Sequence, residues 1–312
     1  MRLLVVGAGS TGGYFGGRLA QAGYDVVFLV RPAREAWLRR EGLRITSPHG
    51  DATLHPQLVI AGAIDKPCEV VLLTVKGFQL AAAIEDMAPA VGQETMILPV
   101  LNGMSHMDIL AGRFSRQNLI GCAAKVATIL EDDGQIAQLT PFQDFAYGEL
   151  DGSQTPRILA LDAFMKAANI GARLSEFIRR EMWEKWVLLA GLGAITCLMR
   201  GTIGEIESSQ GGGAFVEQLL DEVVTVVRAV GEPPSEAFVS SARKQFTAKG
   251  SPLASSMFRD LSHARPIEAE TIIGDLLRYG QKSNIFTPLF AAAYTNLLVY
   301  QNQISARRAT LP

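Results

Sequence analysis

The feature that most constrains the fold is a glycine pattern near the N-terminus, Gly7-x-Gly9-x-x-Gly12, which directly follows the apolar run 3–6. In this setting Gly7 permits a tight turn after a strand, Gly9 admits a pyrophosphate close to the backbone, and Gly12 lets a helix pack on the strand. The helix is expected over residues 13–22, with its N-terminal amide groups directed at the anion. The pattern therefore predicts a dinucleotide-binding turn lined by Gly7, Ala8, Gly9, Ser10, Thr11 and Gly12.

The order of apolar runs predicts two domains of different class. Up to about residue 150, short apolar runs alternate with helical patterns, which is typical of an α/β Rossmann domain with a doubly wound parallel sheet. Turn residues at Asp132-Asp133-Gly134 predict a hairpin that extends the sheet at one edge. After Gly171 the patterns are helical and predict an all-α domain. Strands are expected at 3–6, 26–30, 70–75, 95–100 and 119–122, and helices at 177–199, 215–230, 236–248, 268–279 and 287–305. We place the Rossmann domain at 1–174 and the all-helical domain at 175–312.

Composition excludes several classes of partner. With 312 residues, 48% of them hydrophobic, and a net charge of -2, the chain is expected to be soluble and not to bind nucleic acid. The longest apolar run, 186–199, is shorter than the ~20 residues that span a bilayer, so we expect a buried helix and no membrane association. The N-terminus is interpreted as a strand and not as a signal peptide. Three scattered cysteines and four histidines follow no metal-ligand spacing, which favours a cytoplasmic protein with no metal site.

The end of the predicted second strand indicates which dinucleotide is bound. An NAD site would carry Asp or Glu there to accept the ribose hydroxyls, but this chain has Val30-Arg31-Pro32, with Arg34 nearby. A guanidinium binds the 2′-phosphate of NADP through charge-assisted hydrogen bonds, whereas a carboxylate would repel it. We therefore expect NADP, held by Arg31. The alternative is that Arg31 is a solvated surface charge.

Four polar residues are candidates for the substrate site. Lys76 follows the third predicted strand and Asn102 follows the fourth, and ligands of open α/β sheets bind at the carboxyl ends of strands. Lys185 lies at the polar start of a very apolar helix, although it could simply pair with Glu181 one turn earlier. Glu268 lies near a predicted helix N-terminus, where a carboxylate needs no functional role.

Together with the glycine turn, these residues lie in blocks of sequence that resemble the ketopantoate reductase (2-dehydropantoate 2-reductase) family, and the resemblance covers nearly the whole chain. The matching blocks are Gly7-Ala8-Gly9-Ser10-Thr11-Gly12, Val75-Lys76-Gly77-Phe78-Gln79, Leu101-Asn102-Gly103-Met104, Met182-Trp183-Glu184-Lys185 and Ser255-Ser256-Met257-Phe258-Arg259-Asp260, with Glu268 beyond them. The family joins a Rossmann domain to an all-helical domain and reduces a 2-oxo acid of pantothenate biosynthesis with NADPH in the cleft between them.

The resemblance also implies roles for individual residues. It implies that Lys185 is the general acid and that Glu268 acts with it. It further implies that Lys76, Asn102 and Ser256 bind substrate, and that Lys76, Gln79, Asn102 and Glu268 join the glycine turn and Arg31 in binding NADPH. No step of this chemistry requires a metal.

The chain departs from the family at the substrate end. Members carry asparagines four and eight residues after the lysine, on the same helix face, where this chain has Leu189 and Gly193. A pocket that has lost such partners discriminates poorly for a hydroxylated substrate, so we expect another 2-oxo acid with a more apolar side chain. Two alternatives stay open: a different two-domain dehydrogenase of the 3-hydroxyacid or opine type, and a non-catalytic NADPH-binding protein. The final helix either covers the helical core or pairs with a second copy in a homodimer.

Overall fold

The computed structural model describes residues 1–309. In this part of the chain, the strands are β1 (Arg2–Val6), β2 (Asp25–Leu29), β3 (Leu43–Thr46), β4 (Ala52–Leu54), β5 (Gln57–Val59), β6 (Val70–Leu73), β7 (Met96–Pro99), β8 (Gly121–Leu130), β9 (Ile136–Gly148) and β10 (Ala172–Leu174). The α-helices are α1 (Ser10–Gln21), α2 (Pro32–Glu41), α3 (Leu80–Met87), α4 (Ser105–Arg113), α5 (Pro156–Lys166), α6 (Ile178–Met199), α7 (Ile203–Glu207), α8 (Gly212–Val230), α9 (Glu236–Phe246), α10 (Ser256–Ser262), α11 (Asp275–Lys282) and α12 (Pro288–Ala309).

The contact pattern divides the chain into two compact units. The first contains Met1–Leu101 and His106–Arg179, and the second contains Asn102–Ser105 together with the chain from Arg180 onward. Asn102 therefore belongs with the helical unit, although it follows a strand of the sheet. Each unit is described by itself below.

The first unit is built on a parallel sheet with strand order β5-β2-β1-β6-β7. In the register of the central strands, Val6 lies opposite Leu29 on one side and Leu73 on the other, so these strands end at the same edge. The strands are almost fully buried, as expected where both faces of a sheet are covered. The predicted parallel α/β domain is confirmed. The loops that follow β1, β2 and β6 all lie at the carboxyl edge of its sheet.

The prediction for the outer strands was wrong. The expected fifth parallel strand at 119–122 contributes a single bridge between Leu119 and Ile97, and the strand that starts at Gly121 instead pairs antiparallel with β9. The outer position beside β2 is taken by β5, which has three residues and is too short to produce a period-2 pattern. The hairpin at Gly134 is present, but it belongs to a second sheet of order β10-β9-β3-β4, with β8 on β9, and does not extend the first sheet.

The second unit is helical, as predicted. Four of the predicted helices correspond to α6, α8, α9 and α12. The fifth, expected over 268–279, begins with a π-helical turn at Glu270–Gly274 and continues as α11. Two short helices, α7 and α10, were not expected, because seven residues or fewer do not establish a 3.6-residue period.

Two long helices cover the core of this unit. Phe290, Ala293 and Leu297 of α12 are fully buried in that core, so this face of the final helix covers it. Helix α6 is the one helix among the described residues that is long and apolar enough to cross a membrane, but 72% of its most apolar stretch is buried. Such burial is typical of the core helix of a soluble protein.

Candidate active site

The glycine turn is fixed to the neighbouring strand. Gly7 follows β1 with a φ of +98°, a conformation that favours glycine. The Thr74 hydroxyl donates to the carbonyl oxygens of Val6, at 2.8 Å, and Gly7, at 3.0 Å. A Cβ on Gly12 would lie 2.1 Å from Thr74 Oγ1, so only glycine lets α1 approach this closely. The turn thus has one well-determined shape.

The N-terminus of α1 is open toward the place where a pyrophosphate would bind. Gly9 occupies the N-cap position and offers no side chain to the unpaired amide groups of the first turn, which carries no acidic residue. A Cβ on Gly9 would have no atom within 4 Å. Unpaired amides and the helix dipole attract an anion, so these residues fit a dinucleotide phosphate. In contrast, residues 1–309 contain no group of three His, Cys, Asp or Glu side chains that could hold a metal ion.

Two arginines follow β2, and they differ in exposure and in hydrogen bonding. Arg34 is half-buried: its Nε donates to the Ala8 carbonyl at 3.2 Å, its terminal nitrogens donate to Gly134 at 3.3 and 3.4 Å, and its guanidinium lies 4.5 Å from the Trp37 ring centre. Burial lowers the pKa of the Arg34 guanidinium, which nevertheless stays charged at neutral pH. Arg31 is exposed and occupies the N-cap position of α2, where its carbonyl oxygen accepts from the Glu35 N–H at 2.9 Å, but its guanidinium has no hydrogen-bond or ion-pair partner among the described residues. Arg31 is therefore available to a ligand, and Arg34 is a fixed cation beside the glycine turn.

Lys76 and Gln79 lie in the segment after β6, at the same sheet edge as the glycine turn. Lys76 is exposed and precedes a short 3₁₀ turn, Gly77–Gln79. The backbone N–H of Gln79 donates to the Lys76 carbonyl at 2.8 Å, and the backbone N–H of Lys76 donates to Oε1 of the Gln79 side chain at 3.4 Å. The segment is thus ordered by its own hydrogen bonds, and Lys76 lies on its exposed side.

In the helical unit, the structure brings Asn102 and Glu268 together. Asn102 Nδ2 lies 3.5 Å from Glu268 Oε2, at the limit of a hydrogen bond, and both side chains are partly exposed. The Asn102 loop is held nearby, because the Ser105 hydroxyl donates to Asp275 Oδ2 at 2.5 Å. Gly103, which lies between Asn102 and Ser105 in the sequence, has a φ of +86° and packs against the carbonyl of Thr271. The loop is therefore fixed beside the segment that carries Glu268.

Lys185 is buried on α6, with 8% of its surface exposed. Lysine is almost never buried without a polar partner, because desolvation of the ammonium is costly. The carboxylate of the adjacent Glu184 accepts from Ser235 through both the backbone N–H and the hydroxyl of that serine, each at 2.9 Å. Because lysine is so rarely buried, the burial of Lys185 makes it a candidate functional residue.

The face of α6 beyond Lys185 is apolar. Leu189, one turn on, is partly exposed, and Gly193, two turns on, is buried. A Cβ on Gly193 would lie 2.7 Å from the terminal methyl of Met257, so the Met257 side chain fills the place of a longer residue at 193. Sequence patterns do not reveal this exchange, because Met257 is 64 residues away along the chain.

The two serines at the start of α10 have different environments. Ser255 is buried, its Oγ accepts the Phe258 N–H at 2.9 Å as a helix cap, and it lies 2.9 Å from Thr196 Oγ1. Ser256 is exposed in the first turn of α10, and its hydroxyl forms no hydrogen bond with any described residue. The structure therefore assigns a capping role to Ser255 and leaves the Ser256 hydroxyl accessible.

Comparison with known proteins places these features in a family. The family model described as "Ketopantoate reductase PanE/ApbA" matches residues 3–152, and the model of the C-terminal part of the same family matches residues 177–301. The uncharacterized oxidoreductase YkpB of Bacillus subtilis (strain 168) is 32% identical over 301 residues, which cover 96% of this chain and 99% of that protein.

Solved structures share the whole architecture. The crystal structure of 2-dehydropantoate 2-reductase from Geobacter metallireducens GS-15 is similar with a TM-score of 0.86 and 28% identity, over 95% of this chain and 99% of that one. A ternary structure of D-mandelate dehydrogenase with NADH and anilino(oxo)acetate has a TM-score of 0.86 at 19% identity, over 98% and 100% of the two chains. The second similarity concerns the fold alone.

Proposed function

The chain belongs to the ketopantoate reductase family, and from this we propose that it reduces a 2-oxo acid to the 2-hydroxy acid with NADPH, using Lys185 as the general acid. Membership of the family makes the chain an oxidoreductase related to ketopantoate reductases. The observation that carries the proposal further is the burial of Lys185, which is 8% exposed, at the start of the long apolar stretch of α6.

The residues near Lys185 suit the reduction of a ketone. When bound, NADPH would supply the hydride that reduces the carbonyl carbon. The Lys185 ammonium would donate a hydrogen bond to the carbonyl oxygen, stabilise the negative charge that develops there, and pass a proton from Nζ to that oxygen. Because Lys185 is shielded from water, this interaction would be stronger than at the surface.

Glu268 and Asn102 would orient the substrate. The Asn102 amide approaches one carboxylate oxygen of Glu268, and because a carboxylate has several acceptor sites, Glu268 would also accept from the Lys185 ammonium or from the hydroxyl of the 2-hydroxy acid product. The exposed ammonium of Lys76 would add positive charge that attracts the carboxylate of a 2-oxo acid, and the accessible Ser256 hydroxyl would add a hydrogen bond.

We propose a substrate with a more apolar side chain than ketopantoate. Leu189 and Gly193 offer no polar group on the Lys185 face, and Met257 fills the space over Gly193 with a thioether. A hydroxyl buried against such a wall would lack a hydrogen-bond partner, which costs about 1–3 kcal/mol. This wall does not support a role in pantothenate biosynthesis.

Steady-state reduction by NADPH of a panel of 2-oxo acids tests the substrate class. We expect kcat/KM for a branched or aromatic 2-oxo acid to exceed that for ketopantoate by about tenfold or more, because 1.4 kcal/mol corresponds to a factor of ten. Clear preference for ketopantoate would refute the apolar assignment while leaving the reductase assignment intact. Oxidation of 3-hydroxy acids or N-substituted amino acids, with little reduction of any 2-oxo acid, would refute both.

NADPH is the proposed cofactor because Arg31 and Arg34 follow β2 and residues 30–34 contain no carboxylate. The fold itself does not choose, since D-mandelate dehydrogenase has the same fold and its structure contains NADH. We expect Arg31→Ala to raise the Kd for NADPH by about 10–100-fold, the value of a charge-assisted hydrogen bond, and to leave the Kd for NADH nearly unchanged. Arg39→Ala is the matched control, because Arg39 is an exposed arginine of the same helix whose partner is Glu35. Fluorescence titration measures both constants, and an unchanged NADPH preference in Arg31→Ala would contradict the assignment.

The cellular setting is proposed on chemical grounds. Cys68, Cys122 and Cys197 are buried and form no disulfide among the described residues, which fits a reducing compartment such as the cytoplasm.

A further inference from the structure

The residue after Lys185 makes a buried hydrogen bond that the mechanism above does not use. Trp186 is 1% exposed, and its indole Nε1 donates to the carbonyl oxygen of Ile272 at 2.8 Å. Tryptophan can be buried for its apolar ring alone, but here its N–H is directed at one particular peptide group of another element. The bond joins α6 to the π-helical turn Glu270–Gly274.

The same peptide segment leads directly to Glu268. The Ile272 N–H donates to the Glu268 carbonyl at 3.0 Å, so Ile272 accepts from Trp186 on one side and donates to Glu268 on the other. Two hydrogen bonds therefore connect the indole beside Lys185 to the backbone of Glu268. A π-helical turn is wider and less regular than an α-helical one, and such turns recur at functional sites.

The π-helical turn is supported on its other side as well. The Glu270 carboxylate accepts from the Tyr294 hydroxyl and lies 2.6 Å from Arg278 Nη1. Burial would raise the pKa of Glu270, but the hydrogen bonds from Tyr294 and Arg278 hold it below its ordinary value, so the carboxylate stays charged. A Cβ on Gly274 would lie 2.8 Å from the Tyr294 ring, which shows how closely that ring packs against the turn. Trp186 thus completes a set of contacts that holds the turn from two sides.

The Asn102 loop packs on the same indole. A Cβ on Gly103 would lie 2.5 Å from the Thr271 carbonyl oxygen and 3.8 Å from Cε2 of Trp186. Gly103 directly follows Asn102, whose amide approaches Glu268. Trp186 therefore follows Lys185 on α6, is hydrogen-bonded to the segment after Glu268, and packs beside the loop that carries Asn102.

We propose that Trp186 is a positioning residue: its indole N–H, through the Ile272 carbonyl, fixes the segment that carries Glu268 relative to Lys185. The inference rests on the proposed reductase function. Its physical basis is that reacting groups must be held within about 1 Å of their productive positions, and a misplacement of that size can cost about 100-fold in rate.

Trp183 provides a matched control on the same helix. It is 7% exposed, and its ring lies 5.2 Å from that of Trp186 and 6.5 Å from that of Tyr279. Its indole N–H makes no hydrogen bond to a described residue. Changing either tryptophan to phenylalanine removes a similar apolar area, but only the change at Trp186 removes a bond to the π-helical turn.

The kinetic test compares Trp186→Phe, Trp183→Phe and wild type as holoenzymes, with the 2-oxo acid that wild type reduces best. We expect Trp186→Phe to lower kcat by about 10–100-fold with KM for NADPH unchanged, and Trp183→Phe to keep kcat within about threefold. Thermal unfolding of each variant corrects the rates for the folded fraction. Equal corrected rates in the two variants would overturn the positioning role.

A second variant and a second measurement guard against poor folding of Trp186→Phe. Incorporation of β-(3-benzothienyl)alanine at position 186 replaces the N–H by sulfur at almost the same shape, and the same loss of kcat is expected.

Hydrogen exchange measured by NMR tests the bond itself. The chain has three tryptophans, so NMR resolves three indole N–H signals, which the two phenylalanine variants assign. We expect the Trp186 signal to exchange with deuterium much more slowly than that of Trp183, and equal exchange would contradict the bond. An inactive wild type with a protected Trp186 signal would refute the reductase function and the positioning role with it. An active wild type with two equivalent variants would refute the positioning role alone.

Discussion

Lys185→Ala is expected to lower kcat for reduction of a 2-oxo acid by about 10²–10⁴-fold, which is the usual contribution of one positioned acid. The loss follows from the removal of both the charge that stabilises the developing oxyanion and the proton that neutralises it. The Kd for NADPH is expected to stay unchanged, because the glycine turn and Arg31 are untouched. Steady-state NADPH oxidation gives kcat, and fluorescence titration gives the Kd.

Two further variants separate charge from proton transfer. Lys185→Arg keeps a cation, but a guanidinium, whose pKa lies far above neutral pH, does not release a proton there, so we expect most of the loss to remain. Lys166→Ala is the control, since Lys166 is an exposed lysine paired with Asp162 on α5, and its activity should equal that of wild type. A loss below tenfold in Lys185→Ala would contradict its role as the acid, and NADPH binding without any turnover in wild type would identify a non-catalytic protein.

Gly12→Ala is expected to lower the free energy of unfolding by about 3 kcal/mol, at the upper end of the cost of overpacking. The added Cβ would lie 2.1 Å from Thr74 Oγ1 and 2.2 Å from the Gly7 carbonyl oxygen. The second contact is with backbone, which has no rotamer to escape into, so α1 must move away from β1. The Thr74 hydrogen bonds to the turn would be disturbed as well. Urea unfolding of the apo protein measures the change.

Gly9→Ala is the complementary variant and should show the opposite pattern. A Cβ on Gly9 meets no atom within 4 Å, so stability is expected to stay within about 0.5 kcal/mol of wild type. The same methyl would occupy space needed by the pyrophosphate, and the Kd for NADPH is expected to rise by about tenfold or more. Gly213→Ala, at an open position in α8, is the control for glycine replacement itself and should stabilise by about 0.5–1 kcal/mol with NADPH binding unchanged. Wild-type NADPH affinity in Gly9→Ala would contradict the cofactor site.

The part of the fold that was predictable from the sequence is the part with local signals. Buried parallel strands form continuous apolar runs, and Gly7, Gly9 and Gly12 each have a local steric reason, so the sheet and its first turn could be read directly. Strand β5 has three residues and produces no period, and the segment after Leu119 is as apolar as a parallel strand although it pairs antiparallel. The segment after Leu119 joins the second sheet because it pairs with the long strand β9, and this contact between distant parts of the chain leaves no local signal in the sequence.

The sequence proposes residues for the candidate site but does not indicate how they are arranged. Lys185, Glu268 and Asn102 were identified through blocks of sequence, yet the approach of Asn102 to Glu268 joins residues 166 positions apart. The Trp186 bond to Ile272 spans 86 positions, and it depends on a π-helical turn that interrupts a predicted α-helix. Such contacts leave no periodic signal, because each is fixed by the packing of whole helices.

The central claim is that this chain transfers a hydride from NADPH to the carbonyl carbon of a 2-oxo acid and protonates the oxygen through Lys185. The most direct test is incubation of the purified protein with a panel of 2-oxo acids and NADPH that carries deuterium at the transferable position, followed by mass spectrometry of the products. We predict that wild type forms a 2-hydroxy acid with one deuterium on the carbinol carbon. The rate of formation of this product is expected to be about 10²–10⁴-fold lower in Lys185→Ala. Absence of a deuterated 2-hydroxy acid from every member of the panel would contradict the account.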